Sequence, residues 1–200
     1  MSTTEERAKK ICHDYMNVIC PYVVQYEVLT NTFPIEILNE VRAVLGHLSK
    51  YHLSDELPAK ERNLEKAEGH IKRALFDCHK YLCMAYEDRY KSFERMYRYV
   101  DLSHIDNGEF LPKLLDIRET AKRSLKHART MEFSIGAESA AVYAEYEKAF
   151  VNYASVHGLL EVSFKKLETF RRKAVVKHYL AIGSFILGAV GVILTVLQLL

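Results

Sequence analysis

The residues of this chain best suited to acid–base chemistry are histidines that follow an arginine at short range. Arg42 and His47 do so in VRAVLGH, Arg73 and His79 in RALFDCH, and Arg98 and His104 in RYVDLSH. An imidazole exchanges a proton near neutral pH, so each pair has residue types that acid–base chemistry uses. Arg42 and His47 are the best of the three, because they sit on a short apolar segment able to pair with a copy of itself. Yet twelve arginines and nine histidines in 200 residues make matches this loose an expected accident. The sequence holds no phosphate-binding glycine loop, dinucleotide turn, HExxH pair or GxSxG elbow. The expectation is a protein that is not an enzyme, with hydrolysis at Arg42 and His47 as the alternative.

Metal and cofactor chemistry have less to rest on. The cysteines are Cys12, Cys20, Cys78 and Cys83, and no CxxC pair exists. His79 and Cys83 stand four apart and can share a helix face, but two ligands fall short of a closed tetrahedral site. Both are expected as packing residues, the thiols reduced, with no metal and no cofactor.

Two stretches have the composition of an oligonucleotide surface. Residues 80–99, KYLCMAYEDRYKSFERMYRY, bring Tyr86, Tyr90, Phe93 and Tyr97 near one helix face, with Lys80, Arg89, Lys91, Arg95 and Arg98 interleaved. Rings stack on bases and cations hold phosphates, as a single-stranded oligonucleotide requires. Glu87, Asp88 and Glu94 dilute that charge. A second basic set comprises Lys113, Arg118, Lys122, Arg123, Lys126, His127 and Arg129. The candidate ligand residues are Arg89, Tyr90, Arg118, Lys122, Arg123, Lys126 and Arg129; the competing reading is a solvated helix face. A formal net charge of +2 gives no bulk attraction to nucleic acid.

The elements that must position these residues are all helices. Eight glycines and four prolines are too few for a sheet protein with many turns. Thr3 followed by Glu6 predicts a capping box opening a helix that runs to Thr30, kinked or split at Pro21. A second helix is expected over 34–51, with Ile37, Leu38, Val41, Leu45 and Leu48 inward. A third runs from Pro58 to Val100 on a stripe of Leu64, Ala67, Ile71, Leu75, Cys78, Leu82, Ala85, Phe93, Met96 and Val100. A fourth covers 110–131 after a break at Asn107 and Gly108.

From Ala137 onward there is no proline. Tyr143, Tyr146, Phe150, Tyr153, His157, Leu160, Phe164 and Leu167 recur at alternating steps of three and four, the pattern of a bundle seam. Beside it lies a row of small residues, Ala137, Ala141, Ala144, Ser155 and Gly158. The fold class is therefore all-α: a cytosolic multi-helix bundle over 1–136, a seam helix and basic collar over 137–178, and one transmembrane helix over 179–200.

That last segment, YLAIGSFILGAVGVILTVLQLL, carries no charge. As a helix it spans roughly 33 Å, enough for a hydrocarbon core of about 30 Å. Arg171, Arg172, Lys173, Lys177 and His178 precede it, which places the N-terminal body in the cytoplasm by the positive-inside bias. The opening MSTTEERAKK has no apolar segment behind it, so no signal peptide is expected. Ala181, Ser184, Gly188, Gly191, Thr195 and Gln198 fall on one stripe of the tail. Small residues allow helices to approach closely, so the stripe predicts a homo-oligomer within the bilayer, either through a dry contact or around a weakly polar pore.

This architecture, with the stretches PIEILNEVRAVLGHLSKY and NLEKAEGHIKRALFDCHKYL, resembles the small membrane effectors of bacterial antiphage defence. Among these the chain is most similar to the Hailong type of effector. The resemblance implies a bacterial inner-membrane protein, single-pass, held inactive by a single-stranded oligonucleotide and otherwise opening a channel. Several such effectors place the membrane helix first, whereas here it comes last. The Arg42–His47 spacing also resembles HEPN ribonucleases, and so the HEPN-like membrane accessory of RNA-targeting CRISPR systems. That resemblance implies that Arg42 and His47 of paired subunits act on RNA, although Ala43 stands where the family usually has a polar residue. A further alternative is a non-catalytic tail-anchored scaffold that docks partners through its bundle.

Overall fold

The computed structural model describes residues 3–136 and 139–199, the side chains at 194–196 and 198–199 excepted. Among the described residues there is no strand. The elements are α1 (Thr4–Asp14), a π-helical turn (Tyr15–Ile19), α2 (Cys20–Thr30), α3 (Ile35–Leu53), α4 (Leu57–Tyr97), a 3-10 segment (Leu102–Gly108), α5 (Phe110–Ile135) and α6 (Ala140–Leu199).

Local chemistry sets the boundaries. The Glu6 amide donates to Thr3 Oγ1 (3.2 Å) and the Thr3 amide to Glu6 Oε2 (2.8 Å), the reciprocal capping box that the sequence predicts. Pro21 has no N–H to give, and the helix meets it without a break. The chain widens into the π turn just before it, where the Cys20 amide reaches back to the Tyr15 carbonyl. Asn31 then ends α2 in the left-handed region (φ 57°), its amide bonded to the Glu27 carbonyl at 2.7 Å. Between α4 and α5 the chain reverses through three successive positive φ angles, at Asp106, Asn107 and Gly108. At Gly108 (φ +92°) an added Cβ would also lie 3.3 Å from the Ser103 carbonyl oxygen.

α4 is the spine. α1 and α2 run parallel to it, fixed by Arg7–Glu68 (2.8 Å), a Gln25–Tyr86 hydrogen bond, and Arg89 Nε donating to the Leu29 carbonyl (2.9 Å). α3 runs antiparallel, with Ile37 beside Cys78 and Tyr51 beside Leu64. Around the second half of α4, α5 runs antiparallel and α6 parallel. Lys80–Glu132 (2.9 Å) and Arg118–Glu94 (3.3 Å) mark α5, while Phe76–Tyr146 (4.8 Å between ring centres) and Tyr97–Glu168 (2.7 Å) mark α6. The first half of the spine thus builds a core with α1 and α3, and the second half a larger one with α2, α5 and α6.

Three expectations are corrected here. On α3, Leu38 and Leu45 are exposed, and Val44 and Tyr51 take inward positions beside Ile37. On α4 the stripe holds through Ala85, but Met96 is exposed and Tyr97 takes the inward position. On α6 the buried side chains are Val142, Tyr146, Ala149, Tyr153, Val156, Ser163 and Leu167. Tyr146, Tyr153 and Leu167 belong to the predicted seam. The alternate positions lie one residue earlier than Tyr143, Phe150, His157 and Phe164. Ser163 is 3% exposed and Phe164 56%. The small Ala149 and Ser163 let the backbone of α6 sit close against its neighbours. Tyr143, Phe150 and His157 flank that contact and pack toward His79, Tyr22 and Tyr86.

Candidate functional site

α6 is one helix of 60 residues, about 90 Å long. Among the described residues Leu167 is its last buried side chain. Beyond it the helix is long and apolar enough to cross a membrane, and none of its most apolar window is covered by the rest of the protein. Leu180, Phe185, Leu187 and Val192 stand out into the surroundings, an arrangement that costs free energy in water and none in hydrocarbon.

The tail stripe is in phase with the bundle seam. Stepping three and four residues on from Leu167 leads through 170, 174 and 177 to Ala181, Ser184, Gly188 and Gly191. The same heptad positions that bury α6 in the body therefore carry the small residues of the tail. Thr195 and Gln198 continue the register, but their side chains lie outside the described residues. In a straight helix a heptad stripe drifts by about 20° per repeat. Over the five repeats from Tyr153 to Gly188 the drift is about 100°. The stripe thus faces roughly a quarter turn away from the chain's own bundle, which leaves it clear for another helix. A Cβ added at Gly188 would meet no atom within 4 Å. The Ser184 hydroxyl donates to the Leu180 carbonyl (2.8 Å), so it needs neither water nor a partner to be satisfied.

Between bundle and tail lies the basic collar. Arg171 pairs with Glu168 (2.9 Å), and Lys173 lies 5.7 Å from the Phe170 ring centre. Arg172, Lys177 and His178 are exposed. The Tyr97 hydroxyl, and after it Arg171, holds the Glu168 carboxyl below its ordinary pKa.

The predicted oligonucleotide residues do not form one surface. The Tyr90 ring is 3% exposed, and Tyr86 and Tyr97 are buried with it, so none offers a face to a base. Arg118 lies 3.8 Å over the Tyr90 ring and pairs with Glu87 (3.0 Å) and Glu94 (3.3 Å). Tyr90 and Arg118 thus hold α5 to α4. The reason is compositional: this half of α4 has few aliphatic residues, and its aromatic rings fill the interface in their place. Arg89 caps the end of α2 through the Leu29 carbonyl. Lys122 pairs with Glu119 (3.2 Å), Arg123 bonds Thr120 (3.2 Å), and Lys126 and Arg129 are exposed. What remains as a basic surface is the outer face of α5.

Arg42 and His47 do not meet within one chain. Five residues of helix separate them by about 140°. Arg42 is exposed, while His47 turns to α4, with Nδ1 3.2 Å from Asn63 Oδ1 and its ring stacked on His70 at 5.3 Å. His70 Nδ1 lies 2.7 Å from Glu40 Oε2, to which Arg73 Nε also donates (3.1 Å). Glu40, Asn63, His70 and Arg73 form a polar cluster that sequence patterns miss, because its members come from two antiparallel helices. His79 is 1% exposed among Tyr22, Tyr143 and Phe150, and neither ring nitrogen has a hydrogen-bond partner among the described residues. Burial holds its pKa down to about 4 and pushes the Cys78 and Cys83 thiols up to about 12. Those three are packing residues. Among the described residues no group of three potential ligands could hold a metal.

The chain matches no family model, no curated protein and no solved structure. What stands is the class that fold and site define: an all-helical bundle with one long apolar C-terminal helix as a candidate membrane span.

Proposed function

We propose that the chain is an oligomeric membrane effector, whose tails associate along Ala181, Ser184, Gly188, Gly191, Thr195 and Gln198 and open a path through the bilayer when the bodies rearrange. The observation that carries this reading is the shared heptad register of body and tail on one helix. A body-to-tail connection without a flexible linker transmits rotation or tilt; a passive tether has no need of it. The proposal places the protein in a bacterial inner membrane with its body in the cytoplasm, as an antiviral effector of the kind it resembles. The basic face of α5, with Lys122, Arg123, Lys126 and Arg129, is where a single-stranded oligonucleotide regulator would bind.

The test is ion flux through planar bilayers or vesicles holding the purified full-length protein, with and without oligonucleotide. Current is expected, and Gly188→Leu or Gly191→Leu should abolish it by blocking close approach. Absence of current under every condition overturns the reading.

A further inference from the structure

The bundle ends some distance before the apolar run begins, and that distance is informative. Tyr97 at the end of α4 donates to Glu168 at 2.7 Å, and Asp106 in the bend between α4 and α5 holds Lys166. The bend is therefore level with residues 166–168 of α6. From Glu168 to Tyr179 is eleven residues of helix, about 16 Å along its axis. The headgroup layer on one side of a bilayer takes roughly 5–8 Å of that. About 10 Å remains, close to one Debye length. The ordinary tilt of a spanning helix, about 20°, narrows it further on one side.

Basic groups line that gap. Arg171, Arg172, Lys173 and Lys177 surround α6 within it. At the tip of α4 the Arg98 guanidinium lies 4.3 Å over the ring of Tyr99, which is 80% exposed. Three acidic groups of the same end bond within the protein, while Glu109 at the start of α5 is exposed. Asp101 accepts from the Ser103 amide (3.0 Å) and hydroxyl (2.6 Å), Asp106 holds Lys166, and Glu168 accepts from Tyr97 and Arg171. With Lys166 and Arg171 each paired, Arg98, Arg172, Lys173 and Lys177 still outnumber Asp101 and Glu109. An exposed tyrosine beside an arginine is also a pairing suited to the headgroup layer, where one end is apolar and the other wet.

We infer that the α4–α5 bend is a second membrane contact: Arg98 and Tyr99, with the collar of Arg171, Arg172, Lys173 and Lys177, form one surface for anionic phospholipid headgroups. The inference rests on the tail spanning the bilayer. It adds to that reading a fixed orientation of the body: two contacts set both its tilt and its rotation about α6, as a single helix alone does not.

The sequence contains no tryptophan, so Tyr99→Trp supplies a single fluorescent reporter in the full-length protein. The variant is reconstituted into vesicles of phosphatidylcholine, alone or mixed with phosphatidylglycerol, each doped with lipid brominated near the headgroup. Quenching is expected in the mixed vesicles only. It is relieved when salt shortens the Debye length to about 3 Å. Adding Arg98→Gln or Lys173→Gln weakens the contact about fivefold for each cation removed. Equal quenching in both compositions, or quenching in neither, overturns the inference. So does an equal response of the detergent-solubilised variant to inorganic phosphate, since the groups would then form a phosphate site and not a lipid surface. Tyr179→Trp, in a separate protein, should be quenched in both compositions. Its failure would overturn the spanning helix and this inference with it; its success alongside a silent reporter at position 99 overturns the second contact alone.

Discussion

The two halves of α6 share one register and fill it with side chains of different size. Up to Leu167 the inward heptad positions include Tyr146, Tyr153 and Val156, all buried. From Ala181 onward the same positions carry Ala, Ser and Gly. In water the driving force is removal of large apolar surface, so the inward face of a helix is bulky. In lipid that force is absent between helices and association depends on close approach, so a face that associates there under the proposed reading is small. The bulky residues of the tail, such as Phe185 and Leu187, occupy the outward positions, the reverse of the body's arrangement.

The sharpest way to break this comparison is to exchange sizes. Tyr153→Ala removes a fully buried ring from the body and should cost about 3–5 kcal/mol in denaturant unfolding of the detergent-solubilised protein followed by circular dichroism. Gly188→Leu should leave that unfolding unchanged while lowering the oligomer mass and abolishing current. If Gly188→Leu destabilises the body or Tyr153→Ala does not, the two halves do not differ as argued.

A smaller effect separates cations built into the body from cations on its surface. Arg118→Ala leaves the partly buried Glu87 without its partner and strips the Tyr90 ring of its cover, so a loss of about 1–3 kcal/mol is expected. Lys126→Ala, on the exposed face of α5, should change stability by less than about 0.5 kcal/mol. Its effect belongs in the oligonucleotide titration, as weaker binding at low salt.

Acid provides a third test on the body half, through neighbours that work in opposite directions. His79, boxed by α2 and α6, has its pKa lowered from 6.5 to about 4 by burial. The unfolded chain then binds a proton that the folded one refuses, so this residue's contribution to stability falls as pH drops from 6.5 toward 4. Asp77 has its pKa raised to about 6, also by burial first. The folded chain holds that proton more tightly than the unfolded one, so stability rises as pH drops through 6 toward 3.8. The two offset each other in the native protein. His79→Phe keeps a flat ring in the aromatic box and removes one side of the balance. Its stability should rise relative to the native protein between pH 6.5 and 4, by up to about 3 kcal/mol at the acid end. A variant whose pH profile is parallel to the native one would show that His79 is not titrating as its surroundings dictate.

Much of the fold was legible because helix boundaries carry local signals. Thr3 with Glu6, Asn31, and the Asn107–Gly108 reversal each act within a few residues of themselves. The stripe of α4 was legible through Ala85 for the same reason that it packs: it has one apolar residue per turn. Where patterns failed, bulk was mistaken for burial. On α6 the aromatics at 143, 150, 157 and 164 drew the seam one residue too late, since the buried positions beside them carry the smaller Val142, Ala149, Val156 and Ser163. On residues 80–99 the tyrosines had the composition of a stacking platform, yet their rings are the core. The His47 cluster was invisible because Glu40, Asn63 and His70 are brought together only by the antiparallel packing of α3 and α4. His47→Ala tests what that cluster does. Under the effector reading it leaves ion flux and RNA unaffected; loss of an RNA-cleaving activity in this variant would favour the hydrolytic alternative.

The smallest and most specific change leaves both halves of α6 intact and alters only their phase. Two alanines inserted between Lys173 and Ala174 rotate everything beyond them by about 200°, while seven rotate it by about 20° and add roughly 10 Å of length. Both insertions preserve the body core and the tail stripe, so unfolding and oligomer mass should match the native protein in each. If body and tail are coupled through the register, the two-residue insertion uncouples ion flux from oligonucleotide and the seven-residue insertion retains the coupling. If the tail is a tether, flux is indifferent to phase and both insertions behave alike. Length cannot produce the expected result, because the longer insertion is the one that keeps function.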